Sequence, residues 1–208
     1  MSKIALKASG SGTATYTIEA PSGSTNRILE LPDEAGKILT DVGVPTSAMP
    51  AGSVLQVAST TKTDVFSVSL AAGATSSAIT GFSASITPTS ASSKILLVAS
   101  INGGSNGIVQ GFILTRDSST LTAATGNSAG SRSRVTSASF PTSSPGALQV
   151  PVTYLDSPNT TSQVTYEFLM VNGSGVTQTH YINRSHQDTD TSIRMRAIST
   201  ITLLEIAG

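Results

Sequence analysis

The 208-residue chain has no cysteine and no tryptophan, and aromatic residues supply only 4% of it. Without thiols there is no disulfide framework, no thiolate metal centre and no cysteine nucleophile. Without tryptophan, sugars have no indole to stack on. Charge is scarce as well. Twelve basic and twelve acidic residues cancel, and together they make up 12% of the chain, about half the usual share of roughly 25%. Such a chain lacks the basic face that displaces counterions from phosphates, so no nucleic acid is expected as a partner. No run approaches ~18 apolar residues, and no membrane insertion is expected. The start, Met1-Ser2-Lys3-Ile4-Ala5-Leu6-Lys7, lacks the apolar core of a secretory signal, which gives the expectation of synthesis in a cytoplasm.

Serine and threonine are what the chain has in excess, about 30% of all residues. Hydroxyls keep a surface wet without charge, and threonine's branched Cβ suits extended backbone. Helical periodicity is almost absent, and short alternating segments recur between Gly, Pro, Asn and Ser. Tyr16 and Ile18 share one face of an early strand. Phe66, Val68 and Leu70 share another, and Phe82, Ala84 and Ile86 a third. Val164, Tyr166, Phe168 and Met170 give the clearest alternation, and Ile193, Met195 and Ala197 alternate with Arg194 and Arg196. Ile95–Ala99 and Ile201–Ile206 are apolar on both faces, as central strands covered on both sides are. Asn102-Gly103-Gly104 and Asn172-Gly173-Ser174-Gly175 read as turns. The Ser/Thr/Gly/Ala-rich stretch Thr122–Ala147 reads as a long loop, exposed or lying against a neighbour.

Pro21, Pro32, Pro45 and Pro50 break up the first quarter, and a boundary is expected near Pro45–Gly52. Residues 1–50 would form a short β arm and residues 51–208 one β-sandwich of suitable size. The arm has too few large apolar side chains to close its own core, and an isolated strand pair is marginal in water. Neighbouring copies of the chain are the expected support.

Two stretches resemble known proteins. Ala14–Pro21 followed by Arg27–Thr40, with its L-x-L-P-D-x-x-G spacing, resembles a module common in bacteriophage tail-fibre proteins. The resemblance implies that Leu29, Leu31, Ile38 and Leu39 face a shared axis, with Tyr16 and Ile18 in the same attachment and trimerisation set. The second is an ordered set: Pro88–Val98, Phe112–Asp117, Tyr154–Pro158, Val164–Phe168 and Ser199–Ile206. It resembles the jelly-roll heads of small phage fibre and tip proteins, which are similar to trimeric complement-C1q and tumour-necrosis-factor heads. That resemblance implies a homotrimer with Ile201, Leu203 and Leu204 close to the three-fold axis. It further implies a virion protein made in the host cytoplasm, held to tail or baseplate proteins through residues 1–50. A host-surface glycan or protein would then be its receptor. A capsid decoration or head fibre protein is the alternative.

No catalytic constellation is apparent. His180 and His186, with Asp188 and Asp190, match no standard zinc spacing, and Asp188-Thr189-Asp190 lacks the glycine and later glutamate of an EF-hand. No G-x-S-x-G elbow occurs, and no carboxylate pair sits among aromatics as polysaccharide hydrolysis would need. A non-enzymatic protein without cofactor or metal is expected; a carbohydrate-cleaving rival would depend on Asp156, Asp188 or Asp190. Candidate receptor-contact loops are Gly103–Gly107, Gly126–Pro145 and Asn183–Asp190. Their polar residues are Asn106, Arg132, Arg134, Arg184, His186, Asp188 and Asp190. Arg132, Arg134, Arg194 and Arg196 have two readings: a grip on anionic polysaccharide or a neighbouring virion protein, or, more plainly, charge guarding a strand edge.

Overall fold

The structure is a computed structural model that describes residues 49–107, 109–140 and 147–208. The arm residues Tyr16, Ile18, Leu29, Leu31, Ile38 and Leu39 lie outside the described residues. The chain divides into two units after Asp41, a few residues before the boundary expected from the prolines.

The second unit is all-β. Its strands are β1 (Val54–Lys62), β2 (Phe66–Leu70), β3 (Thr75–Ile86), β4 (Lys94–Ser105), β5 (Gln110–Arg116), β6 (Ser119–Thr120), β7 (Ser137–Ser139), β8 (Ala147–Asp156), β9 (Val164–Asn172), β10 (Gln178–Ile182) and β11 (Ser199–Ile206). All pairings are antiparallel. One sheet runs β8–β4–β11–β1, with β10 and β2 continuing its β11 and β1 rows. The other runs β3–β9–β5, with β6 and β7 beside β5. Setting aside the two-residue β6 and the strands β2 and β10 that continue the β1 and β11 rows, eight strands remain. The first pairs with the eighth, the second with the seventh, the third with the sixth and the fourth with the fifth. That is the connectivity of a jelly roll.

Alternation decides which side chains meet between the sheets. Ile95, Leu97, Ala99 and Ile101 of β4 face Phe112 and Leu114 of β5, Phe82, Ala84 and Ile86 of β3, and Val164, Tyr166, Phe168 and Met170 of β9. Phe82 and Phe168 stack with ring centroids 5.9 Å apart. Ile201 and Leu203 belong to this core and are fully buried by their own chain. They therefore cannot be trimer contacts: period-two alternation turns them inward, and only Leu204, half-buried, faces out.

Other expectations need correction. The turn expected at Asn102-Gly103-Gly104 is the straight end of β4. A Cβ at Gly103 would stand 2.6 Å from Gln110 Oε1, so the glycine is there for the amide that crosses over it. The strand expected at Ile193–Ala197 does not form. Thr191 N–H donates to Thr189 O and Arg194 N–H to Thr191 O, closing a turn that takes the segment off any ladder. Finally, β4 and β11 are central, as their apolar runs imply, but no described residue covers their outer face: Val98 is 43% exposed.

Pro151 lies in β8 opposite Ser100. Within the described residues β8 pairs only with β4, an edge position where a missing N–H breaks no second ladder.

Candidate functional site

Three features of the described residues differ from an ordinary sandwich surface. The first is the open outer face of the β8–β4–β11–β1 sheet. Cross-strand register places Val57 beside Leu204, Leu204 beside Leu96, and Leu96 beside Leu155. The result is one apolar row spanning four strands. Val57 is 60% and Leu155 49% exposed, and Val98 stands one row further along. Each side chain of this size gains about 1.5–3 kcal/mol on full burial. Beyond the row the same face turns polar, with a shallow cleft of about 600 Å³ lined by Ser100, Asn102, Gln149, Arg196, Ile198 and Thr200.

The second feature is the segment joining β10 to β11. Its neck is Asn183, fully buried in the left-handed region at φ 63°, which asparagine tolerates better than most residues. Asn183 Nδ2 donates to Lys62 O (2.8 Å) and Asp64 O (2.9 Å), and its Oδ1 accepts from Ser199 Oγ at 2.7 Å. Ala197 N–H donates to Asn183 O at 3.2 Å and closes the neck. Asn183 is thus a structural hub rather than a contact residue. Beyond it Asp188 bridges Arg184 (3.0 Å) and Arg196 (2.7 Å). The Arg184 guanidinium lies 4.2 Å from the centre of the Tyr181 ring, and the Tyr181 hydroxyl is 3.3 Å from His186 Nδ1. Arg194 donates to Gln187. Arg184, His186 and Asp188 of the sequence-derived set therefore come together, joined by Tyr181 and Arg196. Asp190 is exposed and joins none of these contacts.

The other candidates stand apart. Asn106 is exposed, yet its Oδ1 accepts from Thr179 N–H at 2.8 Å, holding the end of β4 to β10. Arg134 donates through Nε to Gly126 O at 2.6 Å and so braces its own loop. Arg132 donates to Ala129 O at 3.2 Å and remains exposed. The Ser-rich stretch that carries both arginines, where described, lies against the chain's own second sheet. Thr136 N–H donates to Phe112 O, and Leu114 N–H to Thr136 Oγ1.

The third feature was not visible in sequence. His180 is not on a polar loop with His186 but in β10, fully buried between the sheets. Neither ring nitrogen has a hydrogen-bond partner among the described residues, and burial drives its pKa down to about 4. Gln110, Gln178 and Ser139 are also buried with unpartnered side-chain atoms. Register joins them: Gln110 pairs with Ser139, and His180 with Ser105, two residues along β4 from Gly103, over which Gln110 lies. A strand reading that stops at apolar alternation passes over such residues.

Two buried carboxylates belong to the scaffold. Asp156 Oδ2 accepts from Arg116 (2.6 Å) and from the Tyr166 hydroxyl (2.7 Å). Burial, reinforced by Asp156, holds the Tyr166 pKa well above its ordinary value. Glu205 accepts from Gln56 Nε2 (2.6 Å) and from Thr89 N–H and Oγ1 (both 2.7 Å). Burial acts to raise its pKa, and the hydrogen bonds from Gln56 and Thr89 outweigh that and lower it. Among the described residues no group of three or more His, Asp or Glu side chains is placed to hold a metal ion.

No family model matches the sequence, and no curated protein is similar to it.

Proposed function

We propose that this chain is a non-enzymatic structural protein of a bacteriophage particle, a tail fibre or fibre tip. Residues 1–50 attach it to other virion proteins, and its jelly-roll head, as a homotrimer, meets the host surface. One observation carries the reading: the apolar row Val57–Leu204–Leu96–Leu155 on the outer face of a jelly-roll sheet. A lone sandwich leaves that row in water, and a second and third copy of the chain remove it. The number three comes from the resemblance of the strand set to trimeric phage tip heads. The low charge fits the same picture, because like charges on packed copies repel. Receptor contact falls to the exposed loops, where three copies tethered together multiply a weak single-site affinity.

The rival, a capsid decoration or head fibre protein, uses the same trimer without a receptor. Labelling the protein on intact particles separates the two. Density on the tail, together with competition by the purified chain for host adsorption, is the expected result. Label on the capsid, or purified trimer that neither binds cells nor slows infection, would overturn the adsorption role.

A further inference from the structure

The outer face of the second sheet carries a cleft that neither the apolar row nor the β10–β11 segment uses. It holds about 300 Å³ and is lined by Val109, Gly111, Arg132, Val135, Phe140 and Val171, among others. That is the lower end of volumes that enclose small molecules. Its walls depend on two glycines. A Cβ at Gly111 would come within 2.6 Å of Val135 Cγ1, and one at Gly173 within 2.5 Å of Val109 Cγ1. Only glycine lets the two valines close onto the ends of β5 and β9. Val171, which is 3% exposed, provides an apolar floor. Thr136 fixes the Arg132–Val135 wall through its two hydrogen bonds to β5.

Two groups stand at the rim. Phe140 follows β7 directly and is 64% exposed, the one ring among the strongly exposed large apolar side chains of the described residues. Arg132 spends one nitrogen on Ala129 O, which leaves most of its five-donor fork for a ligand. Among the described residues no carboxylate lines the cleft, and Ser133 lines it next to Arg132 in the chain. The lining thus offers an aromatic face, a cation with bidentate donor geometry and a small polar edge.

We propose that this cleft binds an acidic sugar residue of a host-surface glycan, with the sugar's C–H face on Phe140 and its carboxylate on Arg132. The proposal rests on the adsorption reading above and names the ligand class for it. A pyranose ring presents polarised C–H groups on one face, which suit the negative face of an aromatic ring. Its carboxylate matches the guanidinium fork, whose charge-assisted pairs are about twice as strong as neutral ones. The cleft lies on the sandwich face opposite the apolar row, so trimer formation through that row leaves it open. A single site of this size binds weakly, and three on one head gain by tethering.

Saturation-transfer NMR on the full chain tests this with methyl glucuronide, methyl galacturonide and N-acetylneuraminic acid as probes, and methyl glucoside and laurate as controls. At least one acidic sugar is expected to receive saturation through its ring protons, with methyl glucoside at least tenfold weaker. Arg132→Gln and Phe140→Leu, both at exposed positions, are each expected to lose tenfold or more in affinity while keeping the wild-type unfolding midpoint. Phe140→Leu keeps apolar bulk and removes only the ring. Absence of acidic-sugar binding, equal binding of the neutral sugar, insensitivity to both substitutions, or displacement by laurate would each overturn the assignment. Host-cell adsorption of the wild-type chain is measured in parallel. Adsorption that persists without cleft binding refutes the cleft alone, and absence of adsorption refutes the wider reading.

Discussion

His180 gives the sharpest prediction about the scaffold. Its imidazole is fully buried between the sheets with no partner for either nitrogen among the described residues, and burial lowers its pKa from 6.5 to about 4. The unfolded chain, with an ordinary histidine, takes up the proton first as pH falls. Between the two pKa values the unfolded state therefore binds more protons, and stability rises with pH across that window. The stabilisation is complete above the unfolded value and is lost progressively as pH falls toward the folded one. From these two values the loss on going from neutral pH to about pH 4.5 is on the order of 2–3 kcal/mol. At a urea sensitivity typical of small domains this moves the midpoint by roughly 1 M. His180→Leu removes both the proton site and the two unpartnered nitrogens. It should equal or exceed wild type at neutral pH, and it should lack this part of the acid loss. Urea unfolding followed at fixed protein concentration and several pH values, wild type against variant, reads the difference directly. Parallel pH profiles for the two proteins would refute the reasoning, because they would mean that the imidazole titrates alike in both states.

Two further expectations concern the buried carboxylates. Asp156→Asn can keep an oxygen where Oδ2 accepts from Arg116 and the Tyr166 hydroxyl, but it removes the charge that strengthens both bonds, at a cost of about 2 kcal/mol. Calorimetry should register a fall in Tm of roughly 4–8 °C; an unchanged Tm would mean that the β8–β9 link contributes nothing. Glu205→Gln replaces one of the two accepting oxygens by an NH2 group, which then faces the donor on Gln56 or those on Thr89, and should cost about 1–3 kcal/mol near neutral pH. The Glu205 pKa is lowered in the fold, so its contribution is present above the ordinary carboxylate range and disappears as pH falls through the lowered value. The gap between wild type and variant should narrow along that acid limb, and a pH-independent gap would contradict the assignment.

The fold was legible where one face of a strand is apolar and the other is not. Phe82–Ala84–Ile86 and Val164–Tyr166–Phe168–Met170 lie in the core as their alternation requires. The doubly apolar runs of β4 and β11 mark the centre of a sheet. Sequence could not say that no described residue covers the second face of those runs, because period-two alternation is the same whether a neighbour covers it or not. Alternation puts Ile201 and Leu203 on one face of β11 and Leu204 on the other, but with both faces apolar it could not say which one turns into the core. β1 gave little signal: Ser59, Thr60 and Thr61 fill its second half, and it is extended because β11 offers a ladder. Gly103 imitates a turn and is a clearance for Gln110. The Ile193–Ala197 alternation imitates a strand, yet backbone hydrogen bonds at Thr189–Arg194 turn the chain away. Of the candidate contact residues, Arg184, His186 and Asp188 could be grouped by proximity in sequence. Tyr181 and Arg196, which complete their network, become neighbours only through the neck at Asn183. Phe140 and Arg132 likewise line one cleft because the Ser-rich stretch folds back onto β5.

Sedimentation velocity on the purified chain, with Leu204→Glu beside it, tests the shared apolar face most directly. One chain has a mass of 21.1 kDa. Wild type should sediment with three times that mass at micromolar concentration, and the charge placed in the middle of the row should drive it toward the single-chain value without unfolding the sandwich. A wild-type protein that sediments as one folded chain would contradict the account, as would a trimer untouched by the glutamate.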